Sequence, residues 1–434
     1  MLYERWRKIA GERRNELALR DTASGRRWTF AELFAAGQSW NGAPAPAAPQ
    51  LPGEGRSDTA GGGDIIFPRG HSPEFILGLI AAWRENKMTC PLEPGQFPME
   101  ISRLPANCVH FKSTSATAGV ARLVAFTPEQ LLADVENIVV TMGLRADWPN
   151  LGVISMAHSY GFSNLVLPLL FHGIPLIIAP APLPEIIRCA AENEPAITLA
   201  AVPAMWRAWH EAKAIPSGVR LAISAGAPLS LDLEQAVFKS CGLKIHNFYG
   251  ASECGGIAYD ATETPRPDPA LVGTPMQKVN LSLNDQGCLM VRSRAVAETY
   301  WPEKLDSLGS GVYQSSDLAE LKEGSVFLRG RLGDQINVAG RKVSPETVER
   351  ALLAHPQVRE CLVFGVPSQD EERTEIIVAV LVAGAAEREL KQFLLATLPA
   401  WQVPRAWRFV ESLSANDRGK ISRVDWRRRF LAET

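Results

Sequence analysis

A hydroxyl and a carboxylate stand side by side at Ser252 and Glu253, directly after Asn247-Phe248-Tyr249-Gly250-Ala251. The run Leu243 to Phe248 reads as a buried strand, so the pair is expected on the turn that ends it. A glycine in such a turn lets backbone come close to a bound group. A carboxylate and a hydroxyl at a strand end can seat Mg²⁺, a hard cation that takes oxygen ligands and shares them with phosphates. An ordinary turn with a solvated Glu carries the same letters, and this stretch alone does not separate the two.

A second stretch, Lys112-Ser113-Thr114-Ser115-Ala116-Thr117-Ala118-Gly119-Val120-Ala121-Arg122, gathers hydroxyls, small residues and a terminal cation in one short loop. Its amides and hydroxyls can donate to phosphate oxygens while the guanidinium holds their charge. A flexible polar linker is the competing reading. Leu221 to Leu229 reads as a strand with a small-residue turn, Ala225-Gly226, that leaves room for a ligand against backbone. His158-Ser159-Tyr160-Gly161-Phe162 is expected where a strand gives way to a helix, although a lone His there is more often a hydrogen-bonded core residue than a catalyst. Asp317 ends the run Tyr313 to Leu318, at a strand end. Lys420 sits on the turn Asn416 to Arg423, where a solvated cation is the plainer reading. Cys254 reads as a packing residue rather than a nucleophile.

The elements that must hold these residues follow from pattern. Thr29 with Glu32, and Thr127 with Pro128 and Gln130, are expected helix starts of the capping-box kind. Pro73 to Asn86 is a helix with apolar Phe75, Ile76, Leu79, Ile80 and Trp83 on one side, and βα alternation begins there. Asp232 is expected to cap a helix after Leu229. Leu281–Leu283 and Leu289–Val291 form a hairpin across Asp285-Gly287. Gly330-Arg331-Leu332-Gly333-Asp334 reads as a boundary, followed by short strands, a helix capped by Ser344, strands at Cys361–Phe364 and Ile376–Leu381, and a helix from Glu387 to Leu398. The fold class is therefore α/β: residues 1–330 form a large domain of parallel βα layers plus a β-rich subdomain, and 331–434 a small α+β domain.

Composition narrows the field. The chain has 434 residues, 46% hydrophobic and 21% charged, with a formal charge of −2, which provides no basic field for nucleic acid. Seven dispersed Cys with no CxxC pair fit reduced thiols and a cytoplasmic location. Trp148 to Pro184 lacks Asp, Glu, Lys and Arg, but His, Asn, Gly and Pro interrupt it, so it reads as buried helix and strand rather than a membrane span.

Taken together and in this order, the stretches resemble the adenylate-forming superfamily of acyl-CoA synthetases, adenylation domains and luciferases. Thr114 to Arg122 is similar to its phosphate loop and Tyr249 to Glu253 to its Tyr-Gly-x-Thr-Glu motif. Asp317 is similar to its ribose-binding Asp, Gly330-Arg331 to its hinge, and Gly419-Lys420 to the Gly-Lys that carries its catalytic lysine. The resemblance implies a cytoplasmic ligase using ATP, Mg²⁺ and coenzyme A, with a small mobile C-terminal domain. It implies that Thr114, Ser115, Thr117, Gly119 and Arg122 hold the phosphates, and that Ser252 and Glu253 hold phosphate and metal. Asp317 and Arg331 grip the ribose, with Gly226, Tyr249 and Gly250 against the nucleotide. Lys420 reaches the bridging oxygen, and Gly340 lines the pantetheine route. His158, Tyr160, Phe162 and Ala225 form the acyl pocket.

Several positions depart from the pattern. Ala116 and Ala118 replace residues that are usually Gly and Thr, Arg122 replaces the usual Lys, Gly333 stands at a usually charged hinge, and the segment from Pro94 to Lys112 is short. Amino-acid-activating relatives place an Asp near the position of Ser159, and burying an unpaired ammonium is costly. The acid-free stretch Trp148 to Pro184 therefore points to an apolar or aryl acid. The acceptor is free coenzyme A or a separate acyl carrier protein. A relative that hands the acyl group elsewhere, such as a β-lactone former, and a degenerate nucleotide-binding partner subunit are the alternatives.

Overall fold

The computed structural model describes residues 1–40, 65–99, 101, 103–114, 122–368, 375–413 and 422–433. Among them, one extended sheet of fourteen strands and one of five build the large part of the chain. The first half of the large sheet is parallel. Leu17–Asp21, Leu176–Ile178, Asn150–Gly152, Ile197–Ala201, Val219–Ser224 and Ile245–Ala251 lie side by side in that order. Helices Pro128–Met142, Pro203–Glu211 and Leu231–Cys241 interleave with these strands along the chain. From Ile245–Ala251 onward the sheet turns antiparallel through Gly255–Tyr259, Leu271–Pro275, Ser325–Arg331 and Val312–Lys322. The second sheet holds Leu123–Phe126 against His110–Ser113, and so presents the two ends of the Ser/Thr loop.

Local chemistry explains most starts and stops. Thr29–Glu32 and Thr127–Gln130 both form complete capping boxes, each satisfying two otherwise unpaired amides. Ser230, not Asp232, caps the helix Leu231–Cys241: its hydroxyl accepts the Leu233 amide, and Asp232 falls in the first turn, where an acid suits the helix dipole.

The uncharged stretch is a short helix Ser159–Gly161, a wide π turn Phe162–Val166, a helix Leu167–His172 and the strand Leu176–Ile178, nearly all of it buried. Pro168 has no amide to give the carbonyl of Asn164, and the Asn150 side chain supplies the donor instead, at 3.2 Å. Among the described residues no helix is long and apolar enough to cross a membrane.

Two expectations about strand ends are corrected. The strand begun at Ile245 runs through Tyr249 to Ala251 and pairs with Gly255–Tyr259, so Gly250 is a paired residue rather than a turn. It is Gly because a Cβ there would lie 2.7 Å from the Gly255 carbonyl oxygen. Asp317 lies inside the strand Val312–Lys322, opposite Arg331, beside a register shift between Leu318 and Ala319.

The main core gathers apolar side chains from Leu2 to Leu308, with Trp206 and Trp209 wholly buried edge to face. A smaller α+β domain has its own core, built from Ile336, Val348, Leu352, Val363, Ile377 and Leu390 among others. Its strands Val358–Pro367 and Glu375–Ala383 are antiparallel, and Ala406–Phe409 joins them in parallel.

Candidate active site

Three strands bring Tyr249, Asp317 and Arg331 together. Asp317 and Arg331 face each other across the antiparallel pair, and Arg331 Nε donates to Asp317 Oδ1 at 2.7 Å. The Tyr249 hydroxyl donates to the other oxygen, Oδ2, at 2.5 Å. Burial, then the Asp317 charge, pushes the Tyr249 phenol well up, so it stays a donor. Asp317 is thereby held on both oxygens, with its side chain 14% exposed and acceptor sites to spare.

Glu253 follows on the turn after Ala251. Its Oε1 accepts the Tyr300 hydroxyl at 3.0 Å, and its backbone carbonyl accepts the Ala297 amide at 2.9 Å. Burial raises its pKa above the ordinary carboxylate value. Hydrogen bonds to the carboxylate and the Arg331 charge oppose that rise, and the Asp317 charge adds to it. The Arg122 guanidinium sits 6.0 Å from the Tyr300 ring centroid, so Tyr300 stands between the last residue of the Ser/Thr loop and Glu253. The loop ends are pinned: Thr114 N donates to the Arg122 carbonyl at 2.8 Å, and Arg122 N donates to Thr114 Oγ1 at 3.1 Å. Ser115, Thr117 and Gly119 lie outside the described residues, as does Lys420. Ser252 is half-buried beside Glu253. Cys254 is fully buried, and burial pushes its thiol pKa well up, which fits a packing residue.

The expected acyl pocket is only partly assembled. Tyr160 packs against Phe248 and points its hydroxyl at the Ile223 carbonyl, 3.4 Å away, at the end of Val219–Ser224. Ala225 and Gly226 follow that strand, with Gly226 at φ +84°. Phe162, expected on the wall, is instead a core residue, 1% exposed and stacked on His110 at 4.0 Å between ring centroids. The acid-free character of Trp148 to Pro184 does not extend to its surroundings: Glu93 Oε1 lies 3.1 Å from His158 Nε2. Gly340 is on the turn of the hairpin Ile336–Val343 in the small domain, at φ +81°.

Buried and long-range partners escaped the sequence reading. Lys112 belongs to a strand, not to the loop. Its Nζ is 3.2 Å from Asp134 Oδ2 and 3.0 Å from Ser163 Oγ, and Asp134 Oδ1 accepts the Gly256 amide at 3.3 Å. One buried pair thus joins the strand before the Ser/Thr loop, the π turn and the strand after Glu253.

Arg423 ties the small domain together. It reaches Asp334 at 3.0 Å, Glu346 at 2.8 Å and Glu349 at 2.7 Å, and donates from Nε to the Val363 carbonyl at 3.1 Å. Gly330 is where the large part meets this cluster. At φ +122°, a Cβ there would fall 2.0 Å from Ser344 Oγ, which itself donates to Glu346 at 2.6 Å.

The AMP-binding enzyme family matches residues 105–301, and the AMP-binding enzyme C-terminal domain matches 347–420. The chain is 26% identical over 353 residues to 2,3-dihydroxybenzoate-AMP ligase of Bacillus subtilis, covering 75% of this chain and 65% of that protein's length. It is 27% identical over 343 residues to feruloyl-CoA synthase of an Amycolatopsis species, covering 73% of this chain and 69% of the other. The ATP-bound crystal structure of MatB from Rhodopseudomonas palustris superposes with a TM-score of 0.82 at 19% identity, over 99% of this chain and 98% of that one. That likeness establishes the fold.

Proposed function

This chain belongs to the AMP-binding enzyme family, and on that premise we propose that it activates an apolar or aryl carboxylic acid with ATP and transfers the acyl group to the thiol of coenzyme A. The observation that carries the proposal is Asp317, clamped between Tyr249 and Arg331 on strands adjoining the Glu253 turn. On this reading Asp317 accepts the ribose hydroxyls. Thr114, Ser115, Thr117, Gly119 and Arg122 hold the phosphates, with backbone at Gly226, Tyr249 and Gly250 against the nucleotide.

The half-buried Glu253, its pKa raised by desolvation, suits a cation that compensates its charge. Glu253 and Ser252 would hold Mg²⁺, which keeps waters and shares phosphate oxygens, so a single protein carboxylate is sufficient. Bound there, the ion offsets the negative charge of the phosphates.

The acid must approach as an anion. Its carboxylate oxygen attacks the α-phosphorus, the α–β phosphoanhydride bond breaks, and pyrophosphate leaves. Arg122 and Lys420 supply the positive charge that two converging anions require, and Lys420 reaches the bridging oxygen. The thiol sulfur, giving up its proton, then attacks the acyl carbon, and AMP departs with the former carboxylate oxygen. We divide the chain into a nucleotide-binding domain, 1–330, and a moving domain, 331–434, so that Lys420 can withdraw and Gly340 can line the thiol's route. Relatives named for dihydroxybenzoate and feruloyl groups support the aryl class, and one named a CoA synthase supports the acceptor.

The test is a panel of aryl, fatty and amino acids with ATP and Mg²⁺, scored for pyrophosphate, then for thioester on coenzyme A and on a carrier protein. Pyrophosphate with aryl or fatty acids and an acyl-CoA product are expected. Release with amino acids only, or thioester on the carrier protein only, would overturn the acid class or the acceptor respectively.

A further inference from the structure

Glu93 stands where the two sheets meet. It lies just after the strand Met88–Thr89 of the five-stranded sheet, beyond the bridge between Arg69 and Leu92. Its partners belong to the other sheet: Ser155 and His158 sit on the loop leaving Asn150–Gly152, at the carboxyl end of a central parallel strand. Glu93 Oε1 accepts the Ser155 hydroxyl and lies 3.1 Å from His158 Nε2. Ser155 Oγ in turn accepts the Ala157 amide at 3.2 Å. The crevice beyond the carboxyl ends of parallel strands is where open α/β sheets take their ligands. Both side chains are partly exposed at this end of the sheet, 23% for Glu93 and 32% for His158. The second carboxylate oxygen, Oε2, accepts no hydrogen bond among the described residues.

We propose that Glu93 is a specificity residue, and that the acid this chain activates carries a hydroxyl group that donates to Glu93 Oε2. The inference rests on the acid-activating reading above. When an acyl group fills the crevice and excludes water, Oε2 must find a donor or remain desolvated and unpaired, which is expensive. A hydroxyl can give its proton to Oε2, which has acceptor sites to spare. An ammonium would find its charge compensated by Glu93, but the acid in one relative's name, 2,3-dihydroxybenzoate, carries hydroxyls and no ammonium. A purely apolar acyl group would strand the carboxylate. The open acceptor and that relative together favour a hydroxylated acid over both an amino acid and an unsubstituted one.

The experiment compares kcat/KM for pyrophosphate exchange on matched acids, unsubstituted, hydroxylated at each ring position, and amino-substituted, in wild type, Glu93→Gln and Glu93→Ala. Wild type should prefer one hydroxylated acid over its unsubstituted parent by about 10- to 100-fold, the range left by one unpaired polar group. Glu93→Ala should lose most of that ratio, because it loses the hydroxylated acid more than the parent, and Glu93→Gln, which keeps one acceptor oxygen, should lose less of it. Melting temperatures identify any variant that fails to fold, and Glu93→Gln keeps the side-chain shape. A ratio unchanged in folded variants, or a wild type that prefers the unsubstituted or the amino acid, overturns the proposal. Absence of exchange with every acid, while ATP binding is retained in calorimetry, overturns the acid-activating reading itself and this inference with it.

Discussion

Lys112 and Asp134 form an ion pair at 3.2 Å with side chains only 2% and 1% exposed, and the pair holds together three segments that carry the candidate site. Taking away one member of such a pair leaves the other charge buried without compensation, which costs about 3–5 kcal/mol. Lys112→Met should therefore lower the denaturation midpoint sharply. Lys112→Met combined with Asp134→Asn should recover part of the loss, since Asn still accepts the Gly256 amide without carrying charge. Urea unfolding of the single and double variants measures the coupling, and simple additivity would contradict it.

Asp317 is the next target. Replacing it with Ala removes the acceptor held by Tyr249 and Arg331, which is the group proposed to accept the ribose hydroxyls. Charge-assisted hydrogen bonds contribute about 1.5–3 kcal/mol. ATP affinity, measured by calorimetry, should fall by about 10- to 100-fold, which is that range converted at 1.4 kcal/mol per decade.

On the proposed reading, in which Glu253 holds the cation, nucleotide binding depends on pH. The folded pKa of Glu253 is raised above the ordinary value by burial, so the folded chain keeps a proton that the unfolded chain has released. The associated stability is present below the ordinary pKa and is lost as pH rises through the raised one. A cation needs the ionised form, so Mg²⁺–ATP affinity should increase across the same rise. Glu253→Gln should flatten both profiles, read by calorimetry and by denaturation.

Glu349 gives a separate window in the small domain. Burial pushes it from 4.5 up to about 6, against the pull of Arg423 and with the push of Glu346. One guanidinium serves three carboxylates, Asp334, Glu346 and Glu349, so their charge is only partly compensated. The stability contribution is full below 4.5 and disappears as pH climbs through about 6. Denaturation midpoints across that interval should fall less in Glu349→Gln than in wild type.

What could be read from the letters was local. The capping boxes at Thr29–Glu32 and Thr127–Gln130 depend on residues three apart, and both were legible. Ser230 and Asp232 cannot be told apart from the letters, because either residue type can cap. Gly250 looked like a turn because glycine usually punctuates, whereas here it lets two strands close on each other. The candidate nucleotide residues were recognisable as motifs, but their neighbours were not. Asp134 follows Lys112 by 22 positions, Tyr300 follows Glu253 by 47, and Ser155 follows Glu93 by 62. No periodicity connects such pairs; they meet only because the two sheets and the helix Pro128–Met142 pack together. Lys112 in particular reads in the sequence as the start of a polar loop, since a strand lysine with a buried partner has no signature of its own.

The central claim is that this site joins AMP to a carboxylic acid with Lys420 at the reacting phosphate. Acid-dependent ATP–pyrophosphate exchange, run side by side on wild type and Lys420→Ala, tests it most directly. The account predicts exchange in wild type and a loss of at least about 100-fold in the variant, the scale of one positioned electrostatic group, while both proteins bind ATP equally. Equal exchange in the two proteins, or none in a wild type that binds ATP, would contradict it.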